Sequence, residues 1–134
     1  MNGEQNKHPF YNISNHPSKN ADGSWAWGEA QREAALLLGN GEIIDIKGPM
    51  VDPTADTEAV VEQARGLVAN IPVGATVHAM SDFTLTVALV KVLRERGCAP
   101  VFATTKRVAI ETPNPDGTLT KTAVFEFVRF RPAP

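Results

Sequence analysis

Short strand-like runs alternate with amphipathic helix-like runs along this chain, and that alternation constrains its fold more than any other feature. The predicted strands are runs of residues that favour β-structure: Phe10–Ile13, Glu42–Ile46, Ala75–Met80 and Pro100–Thr105. The predicted helices, with apolar residues at steps of three and four, are residues 25–38, 56–71 and 83–96. Strands that alternate with helices form a mostly parallel sheet covered on both faces.

The pattern changes after the fourth predicted strand. Residues 108–111 and 122–129 are strand-like, and the turn-rich segment 113–117 between them leaves no room for a helix. We therefore predict a C-terminal β-hairpin that extends one edge of the sheet. The predicted fold is a Rossmann-like three-layer α/β/α domain with a mostly parallel sheet. It covers residues 10–134 and follows a flexible leader at residues 1–9.

Composition excludes several classes of protein. The 134 residues include 13 Lys and Arg against 15 Asp and Glu. The chain thus has no excess of positive charge that would predict a long nucleic acid or a membrane as its partner. The single cysteine, Cys98, excludes a disulfide framework and is typical of a reducing cytoplasm. The chain has no apolar run near the roughly 18 residues of a membrane span and no signal-peptide pattern at its start. We expect a cytoplasmic protein.

A binding site is expected where the strands end, because ligands of open α/β sheets bind outside the carboxyl ends of the strands. Hydroxyl, amide, imidazole and cationic side chains suited to phosphate and ribose follow these ends. The candidates are Ser14, Asn15 and His16 after strand one, Gly48 and Met50 after strand two, Met80, Ser81, Asp82 and Thr84 after strand three, and Thr104, Thr105, Lys106 and Arg107 after strand four.

Most of these candidates also have a purely structural interpretation. The pair Ser81-Asp82 is typical of a helix N-cap, and Ser14-Asn15 is typical of a turn. A solvated loop would equally explain the cations of segment 104–107. These alternatives stay open on the sequence alone.

Other residues are interpreted as structural, and several chemistries are not expected. His78 lies within an apolar strand and is interpreted as a core histidine with satisfied hydrogen bonds, and one of Trp25 and Trp27 is expected in the core. The glycine-rich run 39–41 precedes a strand, so it matches neither a dinucleotide fingerprint nor a phosphate loop. Three scattered histidines predict no metal centre, and no cofactor is expected.

Five segments together resemble a known family. The chain looks like the small stand-alone CRISPR-associated proteins of a Rossmann-like, CARF-related type in segments Tyr11–Pro17, Gly41–Ile46, Met80–Thr86, Thr104–Arg107 and Phe125–Arg131. The resemblance covers most of residues 10–131. It implies a cyclic oligoadenylate second messenger as ligand, and ring opening that switches off type III CRISPR signalling as activity. The chain departs from the family where an acidic residue would precede Arg107, and again at Asp82-Phe83.

The residue types suit such a cleavage without a metal, because RNA carries its own nucleophile in the ribose 2′-hydroxyl. The protein then only aligns the reacting atoms and stabilises charge on phosphorus. The predicted positioning residues are Ser14, Asn15, Ser81 and Thr105. Lys106 or Arg107 would stabilise the charge, and His16 would act as general base or acid. The alternatives are a non-enzymatic cyclic nucleotide sensor and a structural partner protein.

A homodimer is expected to complete the site. A cyclic oligonucleotide with an even number of units can possess two-fold symmetry, and one small domain offers strand ends for roughly half of such a ring. Helix three is apolar on most sides, which predicts that it is more buried than the other helices or that it meets a second subunit. Met80, Phe83 and Val87 would then lie near the two-fold axis.

Overall fold

A computed structural model describes residues 6–134, which contain five strands and three helices. In chain order these elements are β1 (Phe10–Ser14), α1 (Glu29–Leu38), β2 (Ile43–Lys47), α2 (Thr57–Val68), β3 (Thr76–Met80), α3 (Phe83–Arg96), β4 (Ala99–Pro113) and β5 (Leu119–Pro132). They form one sheet of order β2-β1-β3-β4-β5, in which β5 alone is antiparallel to its neighbour. The predicted α/β class, mostly parallel sheet and C-terminal hairpin are confirmed, and the fold is Rossmann-like.

Two apolar clusters, one on each face of the sheet, hold the three layers together. On one face α2 and α3 pack on β1 and β3 around Ile13, Val77 and Leu89. On the other face α1 packs on the sheet around Phe10 and Phe130, whose ring centroids are 4.9 Å apart. We refer to these as the α2–α3 face and the α1 face.

Helix α3 begins and ends where the sequence predicts. Asp82 is the N-cap, and its Oδ1 accepts a hydrogen bond from the Leu85 backbone N–H at 3.1 Å. Gly97 ends the helix with φ +84°, a left-handed conformation that glycine adopts without strain. The prediction that this helix is more buried than the other two is confirmed, because five of its residues are buried against three in α2 and one in α1. Its Phe83 and Val87 are nevertheless 91% and 70% exposed.

Helix α1 begins at Glu29, so the predicted start at Trp25 is wrong. Ahead of it, the backbone N–H groups of Ala26 and Trp27 donate to the Ser18 carbonyl, which holds this stretch outside the helix. Trp27 is buried in the core, as expected of one tryptophan. The other, Trp25, is partly exposed beneath the Lys19 ammonium, 4.9 Å from the ring centroid.

Strand β4 continues to Pro113, so the predicted strand end at Thr105 is wrong. It pairs with β3 from Ala99 to Val101, and beyond Val101 its partner among the described residues is β5. The hairpin arm predicted at residues 108–111 is therefore the outer half of the same strand. We call residues 102–132 the ribbon, because here β4 and β5 continue as an antiparallel pair beyond the end of β3.

Part of the predicted leader contacts the body of the protein. The Asn6 side-chain amide donates to the Gly74 carbonyl at 3.0 Å, and the Asn40 amide donates to the Lys7 carbonyl at 3.2 Å. Residues 6–9 are thus attached rather than free, and the remainder of that prediction, residues 1–5, lies outside the described residues. Within residues 6–134, no helix is long and apolar enough to cross a membrane.

Candidate functional site

The strand order creates a crevice at the carboxyl ends of β1 and β3. From β1 the chain passes through α1 to β2 on one side, and it then returns through α2 to β3 on the other side of β1. The connections that follow β1 and β3 therefore lead to helices on opposite faces of the sheet. Such a reversal of strand order is where open α/β sheets bind ligands.

Three sequence-predicted residues meet at this crevice. A Cβ atom placed on Gly48 would lie 3.2 Å from Asn15 Oδ1 and 3.2 Å from Ser81 Oγ, so both side chains flank the Gly48 Cα. The Ser81 Oγ atom is buried and has no hydrogen-bond partner among residues 6–134. A buried hydroxyl without a protein partner is rare, which makes Ser81 a candidate to hydrogen-bond a ligand. We call Asn15, Gly48 and Ser81 the strand-end cradle.

A mostly apolar cleft of about 380 Å³ begins at Ser81 and runs between α3 and β4. Met80, Phe83 and Phe102 provide its largest apolar side chains. It exists because β4 leaves β3 after Val101, which opens a gap beside the end of β3. An apolar cleft with a polar group at one end is typical of a small-molecule site. We call it the apolar cleft.

Ser14 and His16 lie on the β1 side of the cradle. The Ser14 hydroxyl is buried and accepts a hydrogen bond from the His16 backbone N–H at 2.9 Å. This bond turns the chain at the end of β1, and it leaves the His16 residue exposed. Ser14 thus has the turn role that the sequence leaves open, whereas His16 is available to a ligand.

Asp82 and Thr84 face away from the cradle. Both border a small cleft of about 210 Å³ on the side of α2, where Asp52 is a further carboxylate. The Asp82 carboxylate already caps α3. The structure therefore separates these two candidates from Met80 and Ser81, which line the apolar cleft.

The four candidates Thr104, Thr105, Lys106 and Arg107 lie within β4 rather than in a loop after it. Side chains alternate between the two faces of a strand. Phe102 lines the apolar cleft on the α2–α3 face, so Thr104 and Lys106 share that face. Ala103 packs in the α1-face cluster, so Thr105 and Arg107 share the opposite face. The two cations therefore project from opposite faces of β4, although Phe102 and Ala103 both line the apolar cleft.

His78 lies in the interior of β3 and is 3% exposed. Its Nδ1 lies 2.8 Å from Asn12 Oδ1, which confirms the interpretation as a satisfied core histidine. The Asn12 amide nitrogen donates to the Asp45 carboxylate, so its oxygen is the acceptor and His78 Nδ1 carries the proton. Burial, and to a smaller extent the nearby His16, lowers the pKa of His78 to about 4, so the ring is neutral at pH 7.

Asp45 holds the loop between β1 and α1 against the sheet. Its carboxylate accepts hydrogen bonds from the Ser18 backbone N–H and hydroxyl, each at 3.0 Å, as well as from the Asn12 amide. Ser18 is fully buried as a result. This polar row across β2, β1 and β3 places His16 and Asn15 beside the crevice.

Sequence reasoning missed the polar row and the role of Phe102. A signal for the row exists in the sequence, because Asn12, Asp45 and His78 each interrupt an otherwise apolar strand. Their pairing depends on strand register, in which Asn12 lies opposite both Asp45 and His78. Phe102 carries no such signal, since an aromatic residue in a strand is ordinary core composition.

Comparison with known families places the chain in one of them. Residues 8–131 match the family described as the Uncharacterized protein MJ1673 family. The chain belongs to this family. The match begins at His8, just ahead of β1, and ends near the end of β5, so it spans the whole sheet.

Neither of the other comparisons found a match. No curated protein matches the chain, and no solved structure does. The family description names no substrate or reaction. A function for the strand-end cradle is therefore argued from its residues.

Proposed function

We propose that this protein binds a cyclic oligoadenylate at the strand-end cradle and opens the ring, which would end type III CRISPR signalling. The observation that carries the proposal is the buried Ser81 hydroxyl, which lacks a partner at the junction of the cradle and the apolar cleft. A ribose hydroxyl or a phosphate oxygen would satisfy it. An adenine base would occupy the apolar cleft beside it.

The shape of the site suits a nucleotide in two ways. Gly48 has no side chain, so Asn15 Oδ1 and Ser81 Oγ approach its Cα closely and bring two polar groups together that could hydrogen-bond a nucleotide. Phe83 is exposed at the rim of the apolar cleft and Phe102 lines it, so either ring could stack on a base. Lys106 lies on the same face of β4 as Phe102 and supplies a cation for the phosphates.

Ring opening in this site uses the nucleotide's own atoms. The ribose 2′-oxygen attacks the adjacent phosphorus, the bond from phosphorus to the 5′-oxygen breaks, and the proton of the 2′-hydroxyl ends on the departing 5′-oxygen. His16 would accept and return that proton, and Lys106 would stabilise the charge on phosphorus. The product is a linear oligoadenylate with a 2′,3′-cyclic phosphate.

The proposal includes two copies of the chain and a cytoplasmic location. One strand-end cradle offers contacts for roughly half of a two-fold symmetric ring, so a second copy would provide the other half. Type III CRISPR signalling takes place in the cytoplasm, so the proposed ligand would be met there.

Turnover decides between an enzyme and a sensor. Cyclic tetra-adenylate and cyclic hexa-adenylate would each be incubated with the protein and the products identified by mass spectrometry. A linear product with a 2′,3′-cyclic phosphate, lost in His16→Ala but kept in His8→Ala, supports the enzyme. Binding without any product supports a non-enzymatic sensor, which the separation of Lys106 and Arg107 onto opposite faces of β4 favours. Absence of both binding and product contradicts the proposal.

A further inference from the structure

The ribbon carries more apolar surface than a solvated hairpin needs. Five of its apolar side chains are exposed: Ile110 by 43%, Leu119 by 54%, Val124 by 37%, Phe125 by 68% and Val128 by 53%. An isolated two-stranded hairpin is at best marginally stable in water. The outer half of the ribbon pairs only with itself within the described residues, because β4 leaves β3 after Val101. This outer half therefore presents apolar side chains that nothing covers among residues 6–134.

A second exposed apolar surface of the same chain lies on helices α2 and α3. Phe83 and Val87 project from α3, and together with Val61 of α2 they line a cleft of about 380 Å³ between these helices. This cleft lies on the α2 side of Val87, whereas the apolar cleft of the candidate site lies on the β4 side. We call the α2-side surface the helix patch.

The charges of the two surfaces are complementary. The ribbon holds five Lys and Arg against three Asp and Glu, whereas the rest of the chain holds eight against twelve. The carboxylates are concentrated in residues 52–62, which contain Asp52, Asp56, Glu58 and Glu62 and no cation. Lys91 lines the α3 side of the cleft, so the acidic part of the helix patch is its α2 side. Complementary charge steers association and fixes which surfaces meet.

From these two surfaces we infer that the ribbon of one copy packs across the helix patch of a second copy. Two such contacts, related by a two-fold axis, bury the ribbon face that carries Leu119 and Phe125, which is opposite the face of Ile110 and Val124. The sequence analysis predicts instead that helix α3 forms the surface at which the two copies meet. The ribbon is the better occupant because the face with Leu119 and Phe125 also carries Arg107 and Lys121, whose charge is opposite to that of the α2 carboxylates. This inference does not depend on any ligand.

The test uses one charge introduced on each surface. Phe125→Glu changes the ribbon, Val87→Glu changes the helix patch, and Leu37→Glu, at a 78% exposed position on α1, is the matched control. All three positions are exposed, so the variants should fold, and far-UV circular dichroism checks this. Light scattering should give about twice the chain mass of 14.4 kDa for the wild type and the control, and one chain mass for the other two.

Mixing the two monomeric variants gives the decisive result. The Phe125→Glu chain keeps an intact helix patch and the Val87→Glu chain keeps an intact ribbon, so an equimolar mixture should form a dimer through one intact contact. A contact between two α3 helices would break in Val87→Glu alone, and a contact between two ribbons would break in Phe125→Glu alone. Either of those patterns, or a monomeric wild type, overturns the inference. Binding of the ribbon to single-stranded RNA with no dimer would also overturn it.

Discussion

His78 Nδ1 lies 2.8 Å from Asn12 Oδ1, across the neighbouring strands β3 and β1. Asn12 in turn donates to Asp45 on β2, so one row of side chains connects three adjacent strands beneath the loop that carries Asn15 and His16. The stability of this row and the position of the strand-end cradle are therefore linked.

Acid should destabilise the protein through His78. Its pKa is lowered to about 4 in the folded state from about 6.5, so between these values the unfolded chain binds a proton that the folded chain does not. Stability is therefore complete above pH 6.5 and is lost as the pH falls towards 4. The free energy of unfolding should decrease by about 2 kcal/mol between pH 7 and pH 5 through this group.

Urea denaturation at a series of pH values measures this loss, and His78→Gln should reduce it. Because that variant removes a core ring, proton NMR of the wild-type protein provides a second measurement. The His78 ring signals should not titrate above pH 5. Titration near pH 6.5 would contradict the burial of a neutral ring.

Removal of the Asp45 carboxylate should release the loop between β1 and α1. Asp45→Ala removes the acceptor of the Ser18 backbone N–H and hydroxyl, whereas the Asn12 amide keeps its bond to the His16 carbonyl at 3.1 Å, so the free energy of unfolding should fall by about 2 kcal/mol. Limited proteolysis should then cut within residues 15–28. Glu33→Ala, at an exposed position on α1, is the control and should change neither result. Equal stability of the two variants would contradict the anchoring role.

Lys106 should matter more than Arg107 for ligand binding. Lys106 shares the strand face of Phe102, whose larger side chain lines the apolar cleft, whereas Arg107 shares the face of Ala103. Lys106→Ala should weaken binding of a cyclic oligoadenylate about ten-fold, as expected for the loss of one charge-assisted hydrogen bond. Arg107→Ala and Lys19→Ala should have smaller effects, measured by fluorescence titration. A larger effect of Arg107→Ala would place the ligand on the α1 face.

Ring opening should continue in excess EDTA, because the ribose 2′-hydroxyl supplies the nucleophile and His16 moves its proton. Chromatography of the products with and without chelator measures this directly. Full activity in EDTA is the expected result. Loss of activity in EDTA that manganese restores would show that the reaction uses a metal.

The sequence predicted those elements whose boundaries are set by local chemistry. Helix α3 was placed correctly because Asp82 caps its start and Gly97 ends it. The start of α1 was wrong because Trp25 and Trp27 continue the helical spacing, although backbone bonds to Ser18 hold that stretch outside the helix. The predicted end of β4 is wrong because two adjacent cations, Lys106 and Arg107, are typical of a loop. In the structure they lie within β4, on different faces of the exposed ribbon.

The candidate site was predictable to the extent that topology determines it. Asn15, Gly48 and Ser81 each follow a strand, and parallel strands bring their carboxyl ends together. The hydrogen bonds between Asn12, Asp45 and His78 depend on the register of strands that are far apart in sequence. No local sequence pattern predicts that register. The division of Lys106 from Arg107 depends on the continuation of β4, which the sequence analysis had ended too early.

Titration calorimetry on two glycine variants tests the strand-end cradle most directly. In Gly48→Ala the new methyl group would lie 3.2 Å from both Asn15 Oδ1 and Ser81 Oγ, closer than ordinary van der Waals contact, so both side chains of the cradle must shift. In Gly66→Ala, on the open surface of α2, nothing lies within 4 Å of the new methyl group. Wild type and Gly66→Ala should bind cyclic tetra- or hexa-adenylate with equal affinity, and Gly48→Ala should bind about ten-fold or more weakly. No heat with either ring for the wild type, or equal affinity of the two variants, would contradict a ligand site at the strand-end cradle.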